Sequence, residues 1–213
     1  MEYNNSGTKN DILYWSKRLY QKGMSPSTSG NISVKCDKGI LISASGTCLN
    51  DMSEDDIILI DYDGNVLEGN KSPSSEKILH SEIYTKRDDI NAVIHCHCPL
   101  LTAFAVANVP IKKSILPDVA LIFEEVPVVP YYCPSSPELA TVVGEYFDKY
   151  NAVLLRNHGV VMGADTLQKA FYGLEMLRAY AETYFGAEVL GGAKALSKKS
   201  VMEIYKLYGK KVK

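Results

Sequence analysis

The chain is 213 residues long, 46% hydrophobic and 23% charged, with a formal net charge of -2. That length fits one domain, 1–213, able to bury most of the surface its unfolded chain exposes. The near-neutral balance excludes a basic nucleic-acid footprint, and no apolar run is long enough to span a membrane. The first ten residues are polar and carry no signal-peptide core, and the five cysteines lack disulfide-framework spacing. A reducing, cytoplasmic setting is therefore expected.

Residues 1–9 are expected to be disordered. Over 11–23, Ile12, Trp15, Leu19 and Tyr20 fall close to a helical stripe that ends at a glycine. A turn-rich stretch, 24–31, leads into Ile32-Ser33-Val34. It reads either as a surface loop, the favoured reading for the stretch alone, or as a glycine loop whose amides and hydroxyls hold an anion. Gly39–Ser43 forms a hairpin with the strand before it, and Ser45-Gly46-Thr47 repeats the small polar theme. Asp51 suits the cap of a short turn before the strand Ile57–Ile60. Asp63-Gly64 is a hairpin signal, and Val66-Leu67-Glu68 returns from it. Ser74 suits the N-cap of a helix reaching about Arg87, with Ile78, Leu79, Ile83 and Tyr84 as its packing face. Glu76, near the first turn, suits either the helix dipole or a metal ion. His80 reads as a surface or packing residue.

Ala92-Val93-Ile94-His95-Cys96-His97-Cys98-Pro99 reads as a buried strand ended by proline. Alternate strand side chains point to opposite faces, so His95 and His97 share one face and Cys96 and Cys98 the other. Two imidazoles at a strand end make half of a transition-metal site, or two histidines that happen to be neighbours. A four-ligand His-Cys knot is excluded because the alternating side chains cannot converge, so both cysteines read as small buried hydrophobes. Of the four histidines, His158 also follows an apolar run and precedes a glycine, which suits a third ligand.

Residues 100–107 read as a helix, and 110–130 as two short strands, 119–123 and 126–129. Ser136-Pro137-Glu138 starts a helix to about Tyr150. The run 152–156 and Val160-Val161-Met162 are strands on either side of His158. Asp165 or Thr166 caps a long helix with Leu167, Ala170, Phe171, Leu174, Leu177 and Tyr180 at helical spacing. Gly191-Gly192 breaks it, and Ser197 caps a last helix ending near Tyr208, so that 197–213 form a helix and a solvated tail. The predicted fold class is α/β, α+β-like in its pattern: a mostly antiparallel sheet with helices on both faces.

Five blocks carry a resemblance to a known family: Ser29-Gly30-Asn31-Ile32-Ser33, Ser43-Ala44-Ser45-Gly46, Pro73-Ser74-Ser75-Glu76, His95-Cys96-His97 and Asn157-His158-Gly159. In order and spacing they resemble the class II aldolase/adducin family, over roughly 13–184. The resemblance implies a three-layer α/β/α fold, a homotetramer with sites between subunits, and one Zn2+ per subunit. It implies that His95, His97 and His158 hold the metal. Glu76 would both approach the ion and move the proton. Gly30, Asn31, Ser45, Gly46, Ser74 and Ser75 would bind the substrate phosphate.

The implied reaction is cleavage of a ketose 1-phosphate like L-fuculose 1-phosphate to dihydroxyacetone phosphate and an aldehyde, with the cation stabilising the enediolate. The family's tyrosine at the aldehyde end has no counterpart in 112–119, which leaves Tyr131, Tyr132, Tyr205 and Tyr208 as substitutes. A dehydratase of methylthioribulose 1-phosphate shares the glutamate, whereas a ribulose-5-phosphate 4-epimerase typically has aspartate at Glu76. A non-catalytic adducin-like module need not keep Glu76 or the histidines.

Overall fold

The computed structural model describes residues 5–112 and 114–209. Eight strands form one sheet: β1 (Asn31–Cys36), β2 (Gly39–Ser43), β3 (Ile57–Ile60), β4 (Val66–Glu68), β5 (Ala92–Cys96), β6 (Val128–Val129), β7 (Ala152–Leu155) and β8 (Gly159–Ala164). Their order is β4-β3-β2-β1-β5-β8-β7-β6. Every pairing is antiparallel except that of β6 with β7. The helices are α1 (Asn5–Gln21), α2 (Lys77–Lys86), α3 (Pro99–Val106), α4 (Pro117–Ile122), α5 (Pro137–Phe147), α6 (Leu167–Val189) and α7 (Lys198–Leu207).

The central strands are apolar on both faces because helices cover both. Leu41, Leu59, Ile94, Leu154 and Met162 pack with Trp15 and Leu19 of α1, Leu101 and Phe104 of α3, and Phe171, Leu174 and Leu177 of α6. Their alternates Ile40, Ile42, Ile58, Val93, Val153 and Val161 pack with Leu79 and Ile83 of α2 and with Leu139, Val143 and Phe147 of α5. Each fully buried aliphatic or aromatic side chain contributes about 1.5–3 kcal/mol. The mostly antiparallel three-layer α/β/α architecture is as expected.

Local chemistry sets the ends. Ser136, Thr166 and Ser197 cap α5, α6 and α7 by accepting from the N–H groups of Leu139, Lys169 and Ser200. Asp165 instead pairs with Lys169. Several expectations are corrected. Helix α1 starts at Asn5, so residues 5–9 are helical rather than disordered. Residues 119–123 are not a strand: Pro117 at the first helical position and Asp118 in the first turn start α4, which buries Val119 and Ala120. Only Val128–Val129 of the second run is a strand.

Asp51 caps nothing. The turn Glu54–Asp56 is capped at Ser53, whose N–H and hydroxyl donate to Asp56 Oδ2 at 3.0 and 2.9 Å. Helix α5 stops at Phe147, short of Tyr150. The N-cap position of α2 is Glu76, not Ser74. The expected disorder of residues 1–4 and the solvated tail at 210–213 lie outside the described residues.

Candidate active site and metal centre

Register brings the histidines together. Cys96 of β5 pairs with Val160 of β8, so the β7–β8 turn lies beside the end of β5. Asn157 takes a left-handed φ of 57°, and the His158 N–H donates to Leu155 O at 3.0 Å. Gly159 has to be small: a Cβ there would lie 2.6 Å from Cys96 O and 3.0–3.1 Å from the His97 and His95 rings. The three ring centroids stand 4.6–5.0 Å apart, and one ligand atom from each histidine falls within 4.8 Å of the others. The cysteines point away and are buried, as read from strand alternation.

His95 Nδ1 donates to Val160 O at 3.1 Å, which leaves the Nε2 lone pair facing the cluster. That Nε2 lies 3.1 Å from His97 Nε2 and 3.2 Å from Glu76 Oε2, while Glu76 Oε1 lies 3.7 Å from His158 Nε2. Burial pushes the His95 imidazole down to about 4, so it is a neutral donor at pH 7. Burial also lowers His97. For Glu76, burial pushes upward, but the surrounding imidazoles and the Asn31 amide outweigh it, and the net direction is down. Glu76 Oε1 and His158 Nδ1 are buried without a hydrogen-bond partner. Imidazole nitrogens and a carboxylate converging on one point fit a divalent transition-metal ion.

Beside the cluster lies a cleft of about 190 Å³. Loops at 28–31, 44–46, 74–76 and 134–135 build it with the histidine cluster, and all of Gly30, Asn31, Ser45, Gly46, Ser74, Ser75, Glu76, His95, His97 and His158 line it. The loops are stitched by Ser45 N–H to Ser72 O and Ser74 N–H to Ser43 O. Gly30 has φ 83°, and a Cβ would meet Ser25 Oγ at 2.5 Å and His95 O at 2.8 Å. Among the described residues no lysine or arginine lines the cleft, so away from the histidines an anion there meets amides, hydroxyls and the start of α2. Ser74 Oγ accepts the Glu76 N–H at 3.2 Å, which orients the carboxylate's backbone rather than capping the helix.

The profile of the Class II Aldolase and Adducin N-terminal domain family matches residues 10–185. The chain belongs to the class II aldolase/adducin family. It is similar to the 5-deoxy-D-ribulose 1-phosphate aldolase of Bacillus thuringiensis serovar kurstaki, 30% identical over 202 residues covering 94% of each chain. It is also similar to the L-fuculose phosphate aldolase of Methanocaldococcus jannaschii, 34% identical over 174 residues, 82% of this chain and 93% of that one. A solved L-fuculose 1-phosphate aldolase superposes with a TM-score of 0.88 at 30% identity, covering 96% of this chain and 97% of the other.

Sequence reasoning missed residues of this class II aldolase-family site. Pro134 and Ser135 also line the cleft, beside Thr28 and Ser29 of the 24–31 loop, and Ser135 Oγ donates to Ser75 Oγ at 3.0 Å across 60 positions of sequence. No local spacing points to that pairing. Tyr131, Tyr132, Tyr205 and Tyr208 do not line the cleft. Of the two readings of His80, surface or packing, the packing one holds: it is fully buried, held neutral by that burial with its pKa down to about 3, and bonded to Asn31 and Ser33. Among the described residues no helix is long and apolar enough to cross a membrane.

Proposed function

We propose that the chain is a zinc-dependent aldolase that cleaves a ketose 1-phosphate reversibly to dihydroxyacetone phosphate and an aldehyde. The observation that carries this reading is a three-histidine cluster with one buried carboxylate, opening on a cleft of neutral anion donors. His95, His97 and His158 hold the ion, which supplies Lewis-acid polarisation of the substrate carbonyl. Ser45, Gly46, Ser74 and Ser75 grip the phosphate with amides, hydroxyls and the positive end of α2. Glu76 moves the proton at the carbon released by cleavage, taking it up again in the condensation direction. Its Oε2 is tied to Asn31 at 3.2 Å, so the unpartnered Oε1 is the working oxygen.

The reading includes a homotetramer in a reducing cytoplasm, with a neighbouring subunit closing the cleft's open side. All five cysteines are free, in keeping with that compartment. The second acid–base group comes from that neighbouring subunit. L-Fuculose 1-phosphate and 5-deoxyribulose 1-phosphate are the first substrates to test, after the relatives' names. Each is offered alongside methylthioribulose 1-phosphate and ribulose 5-phosphate, and dihydroxyacetone phosphate is read by coupled NADH oxidation. Its release from a ketose 1-phosphate, abolished by chelator, is the expected result. Turnover without it selects the dehydratase or epimerase, and no turnover with no bound ion selects an adducin-like module.

A further inference from the structure

The sheet face under α2 is apolar except for His95 near the end of β5 and for β1, where Asn31 and Ser33 point toward the helix and are buried. At the cap and along α2, Glu76, His80 and Tyr84 follow at intervals of four. Two residues along a strand advance about 6.6 Å and four along a helix about 6 Å, so the two rows stay in step. They interdigitate. Tyr84 Oη lies 2.7 Å from Ser33 Oγ, Ser33 Oγ 2.6 Å from His80 Nδ1, His80 Nε2 2.5 Å from Asn31 Oδ1, and Asn31 Nδ2 3.2 Å from Glu76 Oε2.

The proton inventory gives this row one direction. A carboxylate only accepts, so Asn31 presents its amino group to Glu76 and its carbonyl to His80. His80 then carries its proton on Nε2 and accepts at Nδ1. Ser33 supplies that bond with its hydroxyl proton, and Tyr84 donates in turn to Ser33. Turning over any member would set two buried acceptors, or two donors, against each other. A plain packing role for His80 leaves this unexplained. An apolar side chain would seat α2 on β1 equally well, and the row terminates on a buried carboxylate whose other oxygen accepts no hydrogen bond.

We propose that His80 is a positioning residue: through Asn31, its Nε2–H tautomer pins Glu76 Oε2 and leaves Oε1 to carry the proton, while Ser33 and Tyr84 fix the tautomer. The catalytic half of this inference rests on the proposed function; the tautomer and its coupling to Glu76 do not. His80→Leu removes the donor, and His80→Gln returns an N–H near the Nε2 position. For His80→Leu, kcat for ketose 1-phosphate cleavage should fall roughly 10–100-fold, with KM and bound metal within about twofold of the parent. His80→Gln should recover most of that loss. Unchanged kcat in His80→Leu, or no recovery by His80→Gln in a folded, metal-replete protein, overturns the positioning role.

A readout free of activity comes from protein labelled with 15N-histidine, with the His80 signal assigned by its loss in His80→Gln. NMR should show a neutral Nε2–H ring, its Nδ1 resonance shifted by Ser33→Ala and its Nε2 resonance shifted by Glu76→Leu. An Nδ1–H tautomer, or an Nε2 signal indifferent to Glu76→Leu, overturns the proposal. If no sugar phosphate turns over while the tautomer and both shifts are seen, the functional reading fails and the coupling of His80 to Glu76 stands.

Discussion

On one face of the sheet, α1, α3 and α6 close over Ile32, Val34, Leu41, Ile94 and Met162, all apolar and buried. On the opposite face, α2 meets Asn31 and Ser33 on β1, and at the strand ends this face opens into the histidine cleft. The first is held mainly by apolar burial, with the Thr8 and Ser16 hydroxyls of α1 buried in it without hydrogen-bond partners, and it tolerates exchanges that keep volume and pattern. The second bonds Tyr84, Ser33, His80 and Asn31 in sequence, and that chain of partners ends at a carboxylate. Buried polarity here is concentrated where the chemistry is proposed, so damage to the two faces should separate stability from activity.

The largest effect expected on the polar face is from His158→Ala: bound metal and cleavage should be lost together, to the rate of chelator-treated parent. Metal analysis beside the coupled assay checks it, and unchanged metal content would remove His158 from the ligand set. Next is Glu76→Gln, expected to keep its metal while kcat falls by about 10²–10⁴. Near-normal turnover would contradict its assignment as proton carrier.

The apolar face should respond in the opposite sense. Ile94→Ala, in the middle of β5, should cost about 2–5 kcal/mol in denaturant unfolding and leave kcat per folded chain close to the parent value. A large loss of kcat without a loss of stability would erase the distinction between the faces.

The smallest effect concerns Asp56, which anchors Thr47 beside the cleft by accepting from its hydroxyl at 3.2 Å and pairs with Lys71 at 2.7 Å. Burial pushes the Asp56 carboxyl up, but Lys71 and the Ser53 N–H and hydroxyl more than offset it, and the pKa falls to about 2 from 3.8. The folded state therefore binds this proton more weakly than the unfolded chain. The stability it adds is complete above pH 4 and is lost as pH falls toward 2. Lys71→Met should flatten that part of the acid-unfolding curve, measured by circular dichroism.

The apolar face was legible in the sequence because alternation in strands and 3.6-residue spacing in helices are local signals. His95 and His97 were legible for the same reason, being two apart in extended chain, although β5 itself ends at Cys96. That His158 joins them depends on the pairing of β5 with β8, which no spacing in the chain states. The family blocks supplied it. The misreadings came where a local cue competed with tertiary context. Residues 119–123 carry a strand-like apolar run, yet Pro117 and Asp118 start a helix there. Ser74 resembles an N-cap, but its hydroxyl is used one turn position early, on the Glu76 N–H. His80 looked unremarkable because its partners, Asn31 and Ser33, lie 49 and 47 positions away.

The central claim is that an ion held by His95, His97 and His158 works with Glu76 on a sugar phosphate. The direct test returns Zn2+ stepwise to chelator-stripped protein while dihydroxyacetone phosphate release is followed, in the parent and in Glu76→Gln. The account predicts a rate that rises in proportion to bound ion and saturates at one per chain in the parent, with equal binding but almost no release in the variant. Full cleavage by stripped protein, or equal rates in the two proteins, would contradict it.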